Sequence, residues 1–258
     1  MELKVPLNLN NMNIDINAIT VCVNYGNYLK YCISNKRFFK RWVIVTVEHD
    51  IETIDICKKN GLEYIFSEKL YSRQFAKGCA INEALEYIGY NEDWYLHIDA
   101  DVLLPDNFGD TFIIDEETEK TKIIGLKRPK CIEGDKLDGI GPYQIYEELV
   151  NEKLSALNLY TIGRINIDEG EYFKNFNPQF YFNQPDKIIQ GFKGYGYFQL
   201  WHMPTLFEVY SDLYHVYPSL SKNAGHDDFI FAKMFYQVIS LDSYCIHLSP
   251  EKIGWDGV

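Results

Sequence analysis

The sequence predicts an α/β fold: a mostly parallel central sheet flanked by helices. Three observations predict it. Strand-length β-rich runs alternate with stretches of helical period through the first hundred residues. Cap and turn residues fall at the joints between them. A chain of 258 residues with 47% hydrophobic and 24% charged content can bury one large core, which suits a single domain better than two small ones.

Residues Met1 to Asn17 are Asn-rich and read as an irregular lead-in. The first strand spans Ala18 to Val23 and stops at Asn24-Tyr25-Gly26-Asn27. Apolar residues at Tyr28, Leu29, Cys32, Ile33 and Phe39 predict an amphipathic helix over Tyr28 to Phe39. A second strand, Trp42 to Val47, ends at Glu48-His49-Asp50. Asp50-Ile51-Glu52-Thr53 then opens a helix, because an acid there caps free amides and opposes the positive end of the dipole. Lys58-Lys59-Asn60-Gly61 closes it with cations and a glycine. Leu62 to Phe66 is a third strand, Phe75 to Ile88 a further helix, and Trp94 begins the fourth strand.

Ligands of such sheets gather beyond the carboxyl ends of the strands, so Asn24-Tyr25, Glu48-His49 and Asp99-Ala100-Asp101 are expected to face one crevice. After Pro105 the alternation breaks. A strand at Ile123 to Leu126 and a helix near Tyr143 to Leu157 are expected within a stretch otherwise mixed in charge, Gly and aromatics. Strand-like order resumes over Gly194 to His202, followed by a short helix at Pro204 to Tyr210, a longer one at Asp227 to Tyr236, and a last short strand at Ser243 to Leu248. Neither internal repeats nor a linker divides the chain, so residues 1–258 read as one domain, with 18–105 as one half and 106–258 as the other.

The formal net charge of −12, with no basic run, argues against a nucleic-acid partner held by its phosphates. It leaves room for a nucleotide held by local positive groups or a metal. Six cysteines without a CxxC pair, several in apolar segments, read as free thiols of a reducing compartment. No stretch has the form of a signal peptide and no apolar run approaches the roughly 18 residues of a membrane span, so a cytoplasmic location is expected.

The most informative stretch is Trp94 to Pro105, an apolar strand that runs into Asp99-Ala100-Asp101. Two carboxylates at a buried strand end repel each other and resist desolvation, so they call for a countercharge. A divalent cation is the natural one; the alternative is that they cap a turn. A second acidic pair, Asp227-Asp228, stands before the apolar helix and reads first as an N-cap. Between the two clusters, Tyr197, Gln199 and Trp201 offer aromatic faces and polar tips suited to sugar rings, with core packing as the competing reading.

Taken together, Asn24-Tyr25 after the first strand, Glu48-His49-Asp50-Ile51-Glu52-Thr53 after the second, Phe75-Ala76-Lys77-Gly78-Cys79-Ala80-Ile81-Asn82, and His97-Ile98-Asp99-Ala100-Asp101 resemble the GT-A-type nucleotide-sugar glycosyltransferases, family-2-like and DxD-containing. The resemblance implies a Rossmann-like GT-A sheet whose first half (18–105) binds the nucleotide sugar and whose second half (106–258) binds the acceptor and carries the catalytic base. It implies Mn2+ or Mg2+ held by Asp101, with Asp99 on the ribose or a metal-bound water and His247 completing the site. It further implies that Asn24, Tyr25 and Glu48 line the base and ribose pocket, and that Lys77 and Asn82 reach the nucleotide. Asp227 falls at the position of the general base of inverting members, with Asp228 as second candidate, although His226 replaces the usual Glu of that element.

The implied function is transfer of a sugar from a nucleotide donor, UDP-linked by expectation, to a hydroxyl of a glycan or related acceptor, with inversion. Three rivals share parts of the pattern. A haloacid-dehalogenase-like phosphotransferase would use Asp99 as a covalent nucleophile. A nucleotidyltransferase would use the same metal and nucleotide. A noncatalytic carbohydrate-binding module would need only the aromatic segment.

Overall fold

The computed structural model of the chain describes residues 15–72, 75–90, 94–111, 157–168, 176–184, 187–189, 196–210, 215–219 and 224–249. Its organising strand is β1 (Ile16–Val21), buried at five of six positions. It pairs in parallel with β2 (Arg41–Thr46) on one side and β4 (Trp94–Ile98) on the other, and β3 (Glu63–Phe66) extends the sheet beyond β2. Burial on both faces is the ordinary condition of parallel strands covered by crossover helices. Here those helices are α1 (Gly26–Cys32), α2 (Ile51–Asn60) and α3 (Lys77–Ile88).

Side-chain alternation sends successive residues to opposite cores. Trp42, Ile44, Leu96 and Ile98 pack with Leu29 on one face. Val43, Val45 and Tyr95 pack with Leu85 and Phe231 on the other. Helix α2 forms where its signals predict: the Asp50 carboxylate accepts the Thr53 amide at 3.2 Å, and Gly61 closes the helix in the left-handed region at φ 59°. The helix expected over Tyr28 to Phe39 is instead α1 followed by a 3-10 turn at Ile33–Phe38. Asn35 anchors that turn: its buried side-chain amide donates to the Val102 carbonyl at 2.7 Å and accepts the Leu104 amide at 2.9 Å.

The second half contributes β5 (Val102–Leu103), α4 (Phe108–Thr111), β6 (Asn158–Asp168), α5 (Pro178–Phe182), β7 (Phe198–His202), α6 (Met203–Val209), α7 (Ala224–Lys233) and β8 (Gln237–Ser249). The described strands form one eight-stranded sheet in the order β3-β2-β1-β4-β7-β6-β8-β5. Four of its seven pairings are parallel, and the antiparallel ones all lie beyond β4. The expected strand at Ile123 to Leu126 lies outside the described residues, as does all but the last residue of the helix expected from Tyr143. No helix among the described residues is long and apolar enough to cross a membrane.

Two pairings place the site. Antiparallel β7 aligns Phe198 with Ile98, so the Asp99 amide donates to the Tyr197 carbonyl at 3.1 Å. Antiparallel β5 and β8 align Val102 with His247, and the Leu248 amide donates to the Asp101 carbonyl at 2.8 Å. The last strand therefore returns to the end of β4.

Candidate active site

Asp99 and Asp101 occupy the turn at the carboxyl end of β4, where a parallel sheet leaves its crevice. His247 reaches them from β8, with its Nε2 at 3.7 Å from Asp101 Oδ1. One ligand atom from each of Asp99, Asp101 and His247 lies within 4.8 Å of the others. Two carboxylates and one imidazole make a donor set suited to a hard divalent cation such as Mn2+ or Mg2+. The group is only partly exposed, and Nδ1 of His247 is buried without a hydrogen-bond partner among the described residues. These residues fit a metal.

A buried cation stands behind them. Lys77, in the first turn of α3, places Nζ 2.9 Å from Asp99 Oδ1 and 3.1 Å from Asp228 Oδ2, with its side chain only 6% exposed. It is the one lysine or arginine buried among the described residues. Burial alone would lower its pKa, but Asp228 and Asp99 more than offset that and raise it. Burial pushes Asp99 up, yet Lys77 and His97 outweigh burial and hold its carboxyl below the usual range. Asp101 goes the other way: burial raises it and His247 only partly counters.

Asp228 is held at three points. Lys77 binds Oδ2, the Tyr217 hydroxyl donates to Oδ1 at 2.6 Å, and Gln199 Nε2 donates to its backbone carbonyl at 3.0 Å. Burial raises its carboxyl to about 6 against the pull of Lys77. Gly196 is needed beside it, since a Cβ there would stand 1.6 Å from Oδ2. Tyr217 is itself fixed by Asn82, whose side chain accepts the Tyr217 amide at 2.9 Å and donates to its carbonyl at 2.7 Å. His97, fully buried, packs its ring edge-on to Tyr217 with centroids 5.9 Å apart. Burial and then Lys77 lower its pKa to about 3.

Several residues stand elsewhere than the sequence indicates. Asp227 is not an N-cap of its own helix, which begins at Ala224. Its Oδ2 accepts the Gly78 amide at 3.1 Å, so it caps the neighbouring helix α3, whose N-cap residue Ala76 has no side-chain cap of its own. Asn82 spends both ends of its amide on Tyr217 rather than facing an open pocket. The aromatic segment is core. Trp201 is fully buried, stacked on Tyr95 and edge-on to Phe231. Gln199 is equally buried with its Oε1 beside the Tyr217 hydroxyl, while Tyr197 is nearly so and donates to the Ile162 carbonyl. Both faces of β7 are covered, Tyr197 is buried just before it, and none of the three is open to a sugar.

Asn24 and Glu48 are exposed at the ends of β1 and β2, and Tyr25 is half-buried nearby. Burial and then Asp101 raise the Tyr25 phenol, which ties that loop electrically to the metal end. Asn24 sits in the left-handed region at φ 59°, and its amide donates to Asp50 Oδ2 at 2.9 Å. Sequence reasoning missed Tyr217, Asn35 and the second duty of Asp50. The first two lack any periodic or cap signal, and Asp50 carries one only for its own helix.

No protein-family model matches the chain, and no curated protein matches it. Among solved structures it is similar to glucosyl-3-phosphoglycerate synthase from Mycobacterium tuberculosis in complex with Mg2+ and uridine-diphosphate, at TM-score 0.43 and 11% identity over 92% of this chain and 72% of that one. The same enzyme with Mn2+, uridine-diphosphate and phosphoglyceric acid gives TM-score 0.45 and 11% identity over 92% and 71%. Mannosyl-3-phosphoglycerate synthase from Rubrobacter xylanophilus gives TM-score 0.41 and 10% identity over 94% and 68%.

Proposed function

We propose that the chain is a GT-A-type, metal-dependent glycosyltransferase that moves a sugar from a UDP-linked donor to a hydroxyl of a glycan or related acceptor, with inversion. The observation that carries this reading is the convergence of Asp99, Asp101 and His247 at the carboxyl end of the parallel strands, with Asp228 joined to Asp99 through Lys77. Residues 18–105 form the donor half and residues 106–258 the acceptor half of one domain acting in the cytoplasm. A divalent cation held by Asp99, Asp101 and His247 would neutralise charge on the departing nucleoside diphosphate.

The chain's own groups supply the rest. Asn24, Tyr25 and Glu48 border the nucleoside side of the crevice. Asp228 is the general base: it is the acidic-pair member linked to the metal triad through Lys77, and its raised pKa suits a group that must accept a proton near neutrality. Asp227, spent on the Gly78 amide, is structural.

The test is UDP binding with and without Mn2+, followed by donor hydrolysis and transfer. Asp101→Asn is expected to abolish the Mn2+ dependence of UDP binding. Asp228→Asn is expected to keep UDP binding and to lose at least about a hundredfold in transfer, the usual scale of a general base. Asp227→Asn is expected to cost about 1 kcal/mol of stability through the weakened cap and to retain transfer. UDP binding indifferent to metal would sink the reading. Phosphate release from a phosphoester without any nucleotide sugar would favour the phosphotransferase instead.

A further inference from the structure

Among the described residues, carboxylates compensate the buried charge of Lys77, and they belong to two different parts of the site. Asp99 stands in the metal triad after β4, and Asp228 stands on α7. A buried ammonium without a partner is strongly unfavourable, so the strength of one contact depends on the other. The oxygen Lys77 holds at Asp99 is also 3.5 Å from His97 Nε2, and the His97 ring packs on Tyr217, the residue that holds the far oxygen of Asp228.

We infer that Lys77 is a positioning residue that couples the metal end of the site to the base: it competes with a divalent cation for Asp99, and Asp228 sets how strongly it competes. This rests on the metal site proposed above. Two positive charges seeking one carboxylate oppose each other, so drawing Asp99 toward a cation leaves Lys77 to Asp228 alone and fixes the base carboxylate more firmly. Binding linkage is reciprocal, so a change at Asp228 must appear as a change in metal affinity although Asp228 is not a ligand.

The experiment is a double-mutant cycle read by Mn2+ binding to the full chain without nucleotide, using calorimetry or the electron paramagnetic resonance of free Mn2+. Lys77→Met is expected to tighten Mn2+ about fivefold or more, and Asp228→Asn to weaken it by a similar factor. In the Lys77→Met background the effect of Asp228→Asn should shrink to under about twofold, because the residue that transmits it is gone. Glu63→Gln, which removes a carboxylate paired with Arg41 at the start of β3 rather than with Lys77, should leave Mn2+ affinity unchanged.

A Lys77→Met protein that folds but binds Mn2+ more weakly would show Lys77 to be a strut and overturn the inference. An equal effect of Asp228→Asn with and without Lys77 would overturn it too. If Lys77→Met does not fold, the single variants still decide: an unchanged Mn2+ affinity in Asp228→Asn overturns the coupling, and a weakened one beside an unchanged Glu63→Gln supports it. A wild-type chain that binds no Mn2+ would instead sink the metal site itself and the inference with it.

Discussion

Two buried groups beside Lys77 respond to pH in opposite senses. His97 is lowered from its ordinary 6.5 to about 3, by burial first and Lys77 second. Between those values the unfolded chain binds a proton that the folded chain refuses, so stability from His97 is present above about pH 6.5 and drains away as pH falls. Asp228 is raised from 3.8 to about 6 by burial. Between those values the folded chain holds a proton that the unfolded chain lacks, so this group adds stability as pH falls. The two slopes, each about 1.4 kcal/mol per pH unit, oppose each other between roughly pH 6 and 4. Urea midpoints of metal-free protein at pH 7, 6 and 5 would separate them. The advantage of wild type over His97→Gln should shrink with acid, and that over Asp228→Asn should grow. Parallel curves for all three proteins would show that neither shift exists.

Helices α2 and α3 show why one element was readable and the next only half so. Helix α2 carries its own start and stop, Asp50 and Gly61, within its local sequence. Helix α3 carries no capping side chain, because Asp227, 149 residues away, receives the Gly78 amide. Asn35 shows a similar dependence: its partners, Val102 and Leu104, lie in a distant segment. A sequence pattern shows the periodicity of an element but not the remote group that completes its ends. The same helix gives a prediction with an unusual sign. Replacing glycine by alanine inside a helix ordinarily stabilises by up to about 1 kcal/mol. At Gly78, however, a Cβ would stand 1.7 Å from the Pro218 carbonyl oxygen and 3.1 Å from Asp227 Oδ2. Gly78→Ala should therefore destabilise by about 2 kcal/mol or more as the loop carrying Tyr217 is pushed away. Gly109→Ala in α4, where the nearest atom is a Phe38 side-chain carbon at 4.0 Å, should be neutral or stabilising in the same urea titration. Equal effects at the two glycines would contradict the close approach.

At the scale of the whole molecule, what the sequence showed was the parallel half, because each of its strands ends in a local turn and the acidic turn at Asp99 to Asp101 is contiguous. What it hid was the direction of β7. Read alone, Tyr197, Gln199 and Trp201 resemble a wet aromatic surface; in the fold both faces of β7 are covered by core, and Tyr197 is buried just before it. The same arrangement gives the metal site a structural consequence. Asp99 and Asp101 belong to the turn after β4, while His247 belongs to β8, which reaches that turn through the short β5 pairing and the Leu248 amide. A cation bound there ties the last strand to the parallel half, and it can bind the folded chain only, since the unfolded chain does not hold the three ligands together. Mass action then requires stabilisation of about 2.7 kcal/mol at a Mn2+ concentration 100 times the Kd. For a chain of this size that raises Tm by about 5–10 °C, with a logarithmic dependence on Mn2+ and full reversal by a chelator. Asp101→Asn should lose the rise altogether, because the remaining pair of ligands is no longer closed by a second carboxylate. A Tm indifferent to Mn2+ in wild type, or an equal rise in Asp101→Asn, would show that these three side chains do not bind the metal as a group.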